Sequence, residues 1–368
     1  SELAELGRVY ATAPLSNRNL IINGAMTVSQ RGTKTGINSA QKNFGGPDRF
    51  SLYSSTPSNS AAFSSIQQSV TDRPGFQKAF RADCTTAASG ALTTNQEIKI
   101  ATELEAQNIQ SLEYGFTSPK KATLSFWVKS NKTGTGVVWF YRSDGGNRQN
   151  AKTYTINSAN TWEYKTLTIE GDATNKIPVD NGSGLNISWI LDSGPTYTSG
   201  TSPNGTWEAL NDNNRYVGQT LDIGQSTDDY FDLTGVQFEI GDTATPFEHR
   251  SYGDELARCQ RYYRSYGGED AYEHLPFNGL GNGTVANFVY GLDPEMRAAP
   301  SLSTTGTWSV QGPYGGSVRT VGSWVLGNTS RKTVRGEAQS ISASISNNTA
   351  RFLANNSTTV RFNLDAEL

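Results

Sequence analysis

Cysteine, histidine, methionine and charge are all scarce in this 368-residue chain: it has 2 Cys, 2 His and 2 Met, and 18% of its residues are charged. Cys84 and Cys259 lie far apart and outside any CxxC spacing, so they read as small buried thiols rather than a disulfide framework or metal site. His249 and His274 have no Glu or Cys at ligand spacing, which argues against zinc and against a histidine-based nucleophilic centre. The net charge is −3 and no Lys/Arg cluster exceeds two residues, so the pull needed for nucleic acid or an anionic membrane is missing. No run of about 18 apolar residues is present, which excludes a membrane-spanning helix. The opening residues carry Glu2, Glu5, Arg8 and Arg18 in place of the apolar centre of a signal peptide.

What remains is a composition for turns and strands. Gly accounts for 37 residues, and Ser, Thr and Asn are abundant throughout, as in an all-β protein. The organising stretch is Asp232 to Tyr266. Phe231 and Leu233 share a face, Gly235 permits a bulge that shifts the parity, and Val236, Phe238 and Ile240 then line an interior. Gly241-Asp242 ends that strand, and Pro246 pushes the residue before it to an extended conformation, so Thr243 to His249 reads as a linker. Ser251 and Asp254 form a capping pair for a short helix over about 251–265, with Tyr252, Leu256, Cys259 and Tyr263 as its apolar packing stripe between domains.

The rest of the chain is read as short strands. Asn19 to Val28 is the first, followed by Arg49 to Tyr53, Ala61 to Val70 and Lys78 to Cys84, and Glu97 to Leu112 reads as a strand running into a helical turn. Leu124 to Val128 alternates. Val137 to Tyr141 forms a hairpin with Thr153 to Ile156 across Ser143-Asp-Gly-Gly146, and Trp162 to Ile169, Leu185 to Leu191 and Asp229 to Ile240 complete the set. Strands at this spacing predict a jelly-roll-type antiparallel β-sandwich over residues 19–248, preceded by an N-terminal arm over 1–18. A linker and helix over 249–266 then lead to a smaller β-sandwich-like domain over 267–368, or part of a β structure completed by neighbouring subunits. In that domain Gly279 to Gly283 is expected as a glycine turn. Val285 to Tyr290, Leu302 to Val310, Ser317 to Val325, Lys332 to Ala338, Ser340 to Ser346 and Thr358 to Asn363 are expected as strands.

Four motifs in order, NLIINGAMTVSQRGT (Asn19 to Thr33) with DRF (Asp48 to Phe50), LSFWVKS (Leu124 to Ser130), ANTWEYKTLTIEGD (Ala159 to Asp172) and TGVQFEIGDTATPFEHRSYGDELARCQRYY (Thr234 to Tyr263), closely resemble a module of tail fibres and other virion proteins of tailed bacteriophages. The terminal RFNLDAEL is also similar to such proteins. The resemblance implies a sandwich similar to carbohydrate-binding modules, a non-enzymatic virion protein displayed on the particle surface, and assembly as a homotrimer. It implies synthesis and assembly in the host cytoplasm and adsorption to a host-surface glycan or protein receptor. The alternatives are a capsid decoration or fibre-connecting protein, and a polysaccharide-cleaving or simple glycan-binding protein. The arm, through Leu3, Val9 and Tyr10, is the expected dock for other virion proteins, and long fibre proteins normally carry a large anchoring region ahead of this module.

Candidate contact residues are aromatic, because flat rings supply apolar contact to sugars and an Asn/Ser rim supplies hydrogen bonds. Among 7 Trp and 16 Tyr, those in loops or beside glycine turns, Tyr197, Trp207, Tyr314 and Trp324, are the expected receptor or glycan contacts, or else interface residues. Trp127, Trp162 and Trp189 fall on strand patterns and are expected in the core. Asp228, Asp229 and Asp232 have the residue types for a calcium site or a glycosidase pair, but read first as a solvated strand start. No cofactor, catalytic residue or metal ligand is expected.

Overall fold

In the computed structural model, the structure describes residues 17–55, 61–268, 270, 274–311, 318–327, 329–345, 350–355 and 357–368. Two compact units divide the chain, one running up to Glu255 and the other Leu256–Glu367.

The first unit is a sandwich of two antiparallel sheets. One sheet has the order β1 (Lys34–Ile37), β4 (Ala62–Ser69), β5 (Lys78–Thr86), β13 (Tyr230–Ile240), β7 (Ala122–Ser130), β10 (Glu163–Ile169). The other has the order β12 (Glu208–Ala209), β9 (Arg148–Ile156), β8 (Gly134–Arg142), β11 (Ser183–Ser193), β6 (Glu97–Glu105), β3 (Phe50–Ser54), β2 (Asn43–Phe44). Alternation puts Leu124, Phe126 and Val128 of β7 and Val138 and Phe140 of β8 into one core with Trp189, Phe231 and Phe238. Rings from opposite sheets meet there: Phe126 lies edge-on to Trp189 at 5.7 Å, and Phe140 lies 6.0 Å from Phe238. Each such ring, fully buried, contributes about 1.5–3 kcal/mol.

The expected bulge is present in β13. Gly235 has φ +58, and the register against β7 shifts between Thr234 and Gln237. A Cβ at Gly235 would come within 2.8 Å of the Phe76 ring. The strand into a helical turn at Glu97 to Leu112 is also present, as β6 followed by a 3-10 helix, Ala106–Leu112.

Asn19 to Val28 is not a strand. Asn19 Oδ1 accepts from the backbone N–H groups of Ile21 (3.0 Å) and Phe238 (3.1 Å), and Asn23 ties to Val28 N–H and to the carbonyls of Val28 and Asp48. These side chains take the place of a ladder, and Asn23 and Met26 sit at positive φ. The segment is a buried coil strapped along β13, with Leu20 N–H on Phe238 O and Val236 N–H on Gly24 O, both at 2.9 Å.

That strap is half of a clasp. Buried Glu239 accepts from Gln237 Nε2 (2.8 Å), Thr245 N–H (2.9 Å) and the Thr245 hydroxyl (2.6 Å). Glu248 accepts from the N–H groups of Arg18 (3.2 Å) and Asn19 (3.0 Å), and Glu255 accepts from Asn23 N–H (2.6 Å). Arg250 donates to the carbonyl of Ile21 at 3.0 Å and lies 3.5 Å from Glu255. The first and last motifs of the sequence are therefore two sides of one hydrogen-bonded joint.

The helix α1 spans Tyr252–Gln260, shorter than expected. Its cap is the expected one: Ser251 Oγ donates to Asp254 Oδ2 (2.7 Å) and accepts from Asp254 N–H (3.2 Å). The expected packing stripe is corrected. Tyr252 is 61% exposed, Leu256 is half-buried, and Tyr263 lies beyond the helix, paired with Asp365. The buried helical positions are Glu255 and Cys259, one turn apart, because the Glu255 carboxylate is drawn into the clasp. Both Cys84 and Cys259 are buried thiols.

The second unit has two antiparallel sheets. One has the order β14 (Tyr263–Tyr266), β23 (Arg361–Asp365), β17 (Ser301–Thr305). The other has the order β19 (Arg319–Thr320), β18 (Trp308–Gln311), β22 (Ala350–Asn355), β15 (His274–Asn282), β16 (Val285–Gly291), β21 (Thr333–Gln339), β20 (Ser323–Leu326). Phe288, Trp308, Val334 and Phe362 form its core. Gly279 to Asn282 lie within β15 rather than in a turn, since Gly279 faces Phe288 and leaves room for the Asn287 carbonyl. Ser340 to Ile345 is not a strand: Ser340 has φ +53, which turns the chain out of the extended conformation.

Candidate functional site

Three of the four aromatic residues singled out pack against side chains of their own unit. Tyr197 is buried, edge-on to Tyr216 at 5.2 Å with the Arg215 guanidinium over its ring at 4.9 Å. Burial, and then the charge of Glu97, push its hydroxyl up to about 12. Trp207 is half-buried against Tyr114 (5.6 Å), its Nε1–H donating to Glu170 O at 2.8 Å. Trp324, also half-buried, is edge-on to Phe362 at 5.2 Å and Phe288 at 5.8 Å in the second unit's core. Tyr314, and Leu3, Val9 and Tyr10 of the arm, lie outside the described residues.

Of Trp127, Trp162 and Trp189, only Trp189 is in the core. Trp127 lies on the outer face of the six-stranded sheet, under the Arg73 guanidinium at 3.5 Å and beside Tyr164, because alternation along β7 gives the inner face to Phe126 and Val128. Trp162 is half-buried, and its Nε1–H donates to Asp72 at 2.9 Å. The three aspartates do not converge. Asp228 is exposed, Asp229 Oδ2 accepts from the N–H groups of Gly224, Gln225 and Ser226 (3.0, 3.0 and 3.1 Å), and Asp232 makes two 2.7 Å bonds to Arg81. Among the described residues no group of three or more His, Cys, Asp or Glu could hold a metal ion. His249 is exposed beside Phe247 (4.8 Å), and His274 opens β15.

A site appears on the outer face of the seven-stranded sheet. Register places Ser51 of β3 opposite Ala101 of β6, Ala101 opposite Ser188 of β11, and Ser188 opposite Trp139 of β8. This row of small residues crosses three strands and ends at a tryptophan. On one side runs the row Tyr53, Lys99, Ile190, Val137; on the other runs Glu103, Asn186, Tyr141. Small side chains between two taller rows make a trough, and three inter-strand spacings give it a length of about 14 Å. The open groove has a volume of about 300 Å³, and Lys42, Ser143 and Ser183 complete its lining.

The trough is held in place from outside the sandwich core. Val137, Trp139, Ala151, Ile190, Tyr197 and Tyr216 form a second apolar cluster on this outer face, so the segment carrying Tyr197 and Tyr216 covers part of the sheet. Trp139 stacks on Tyr141 at 4.9 Å and 8°, and its Nε1–H donates to Gln149 at 3.2 Å. Lys99 Nζ lies 4.9 Å from the Tyr53 ring centre and 5.3 Å from that of Trp139, and it pairs with Glu97 at 2.7 Å. Tyr216 donates its hydroxyl to that same Glu97.

The polar wall centres on Glu103, whose side chain is 10% exposed. Its Oε1 receives Lys42 Nζ (2.6 Å) and Asn186 Nδ2 (2.9 Å), while Oε2 is buried without a hydrogen bond. Burial raises the Glu103 pKa, but Lys42, Asn186 and the nearby Ser183 hydroxyl outweigh it and leave the carboxylate below its ordinary value. Asn186 is fixed in turn by the Ser188 hydroxyl, which donates to its Oδ1 at 2.6 Å. No histidine or cysteine lines the groove, and Glu103 is its one carboxylate. The arrangement offers half-buried tyrosine rings, ammonium donors and amide groups, which suits holding a ligand.

Sequence reasoning missed this site. Its signal was Val137 to Tyr141, where Val138 and Phe140 face the core yet Val137, Trp139 and Tyr141 on the other face are equally apolar. A strand apolar on both faces is covered or binds something on each.

No family model matches the sequence, and no curated protein matches it. Among solved structures, a CBM4 module is similar over 60% of this chain and 98% of its own, at 13% identity and TM-score 0.30. A sugar binding protein, so described in tentative terms, from Bacteroides thetaiotaomicron is similar over 61% of this chain and 100% of its own, at 10% identity and TM-score 0.35. The enzymatically active domain of tailspike protein 4 of bacteriophage CBA120 is similar over 60% of this chain and 21% of its own, at 11% identity and TM-score 0.30. Likeness at this level assigns this chain neither a ligand nor an activity.

Proposed function

We propose that this chain is a glycan-binding structural protein of a tailed-phage particle, displayed on the virion surface as part of a tail fibre, and that the trough on its seven-stranded sheet is the contact with the host surface. The trough carries the reading: a row of small residues flanked by Tyr53, Tyr141, Asn186 and Lys99 pairs flat apolar faces with fixed hydrogen-bonding groups. The motif resemblance supports the virion setting. On this reading the trough holds its ligand without cleaving it, a reading supported by the single carboxylate among its described lining residues where glycoside hydrolysis uses two across the bond. Each contact is weak, and many copies on one particle raise the avidity.

Competition tests the reading. Purified protein at saturating concentration, added to host cells, is expected to slow the loss of free phage, and the Tyr53→Ala/Tyr141→Ala variant is expected not to. Unchanged adsorption with folded wild-type protein would count against receptor contact and favour a decoration or connector role.

A further inference from the structure

We infer that the trough selects a neutral oligosaccharide of more than one ring and discriminates against acidic glycans, with Glu103 as the residue that sets this preference. The inference rests on the trough being a glycan site and adds the class of glycan.

The charges in the trough are already compensated. Lys42 lies 2.6 Å from Glu103, and Lys99 lies 2.7 Å from Glu97. An ammonium group has three N–H donors, so each lysine keeps donors for ligand oxygens while its net attraction for an anion is spent. Glu103 is the deeper half of its pair, 10% exposed against 45% for Lys42, and replacing it would leave that ammonium with its attraction unspent. A uronate or sulfate brought beside the pair meets the Glu103 carboxylate as well as the Lys42 ammonium, so repulsion offsets attraction and the anion's lost hydration goes uncompensated. Hydroxyl groups meet no such repulsion. They can accept from Lys42, Lys99 and the Asn186 amide, and they can donate where an anion cannot.

Length follows from register. The trough crosses from β3 to β8, about 14 Å, with Tyr53 on the first of these strands and Tyr141 on the last. These rings lie too far apart to touch one sugar ring together, so affinity grows with chain length until the ligand reaches both.

The test is an array of neutral and acidic bacterial polysaccharides probed with the full chain, followed by titration calorimetry of the best neutral oligosaccharide from mono- to hexasaccharide and of its uronate counterpart. Neutral ligands are expected to bind at least about tenfold more tightly than acidic ones, with affinity rising beyond the monosaccharide. Glu103→Gln removes the buried charge and is expected to shrink that ratio about tenfold. Lys42→Gln, at a position 45% exposed, leaves Glu103 uncompensated and is expected to widen the ratio, which keeps the test open should Glu103→Gln fail to fold. Acidic glycans binding as well as neutral ones, or both variants leaving the ratio unchanged, would overturn this inference while leaving the trough a glycan site. Binding that persists in the Tyr53→Ala/Tyr141→Ala variant would remove the trough itself, and the absence of any binding would overturn the glycan reading as a whole.

Discussion

The clasp and the trough are both built around buried glutamates, and they use them in opposite ways. Glu239 has both oxygens engaged, one by two donors and the other by the Thr245 hydroxyl. Glu103 has Lys42 and Asn186 on one oxygen, while the other is buried without a well-formed hydrogen bond. A carboxylate fully met by its own chain fixes geometry, whereas Glu103 stands in the wall of an open groove and bears on a ligand through its charge. The clasp is thus a structural joint although its sequence is the most recognisable in the chain, and the trough is the functional candidate although its sequence draws no notice.

The comparison can be broken by substitution. Glu239→Ala strands both Thr245 donors and removes the shortest bond of Gln237 Nε2, which keeps only longer bonds to Thr245 and Pro246, and is expected to cost on the order of 3 kcal/mol, read as a lower denaturation midpoint of the sandwich unit. If that midpoint stays put, the clasp is not a joint. Gly235→Val forces a branched side chain into positive φ against Phe76, with a loss of about 2 kcal/mol expected in the same measurement. Tyr141→Ala should behave in the reverse sense, with stability changed by about 1 kcal/mol or less and glycan affinity down about tenfold; a large loss of stability with affinity intact would exchange the roles assigned to the two regions. The smallest effect is on pH. Burial raises the Glu248 pKa, but the N–H groups of Asn19 and Arg18 and the charge of Arg250 outweigh it and hold the carboxylate below its ordinary value. A folded pKa below the unfolded one means that the contribution is complete above about 4.3 and fades as pH falls through the folded value. Glu248→Gln should therefore flatten the acid limb of the stability curve and leave the neutral plateau lower.

What could be read from sequence was whatever depends on local alternation. Leu124, Phe126 and Val128 announce their face by period, Gly235 announces its bulge, and Ser143 to Gly146 announces the hairpin. The first segment was misread because Leu20, Ile21 and Ile22 look like strand residues, while the side chains that decide the backbone act through distant partners: Asn19 bonds to Val236 and Phe238 of β13, and Asn23 to Asp48 as well as to nearby Val28. The trough was hidden for a related reason. Ser51, Ala101 and Ser188 are unremarkable singly and form a floor only once register sets them side by side. Loop position was a poor guide to exposure, since Tyr197 and Trp207 are loop residues folded back onto the sandwich.

The clasp also decides how this unit carries load. Asn19 and Asn23 are fastened to Phe238, Glu248 and Glu255, so the chain comes into the sandwich and leaves it at one place. Tension applied between the two segments that flank the unit would act first across that joint, so the fastening is loaded before the strands of the sandwich are.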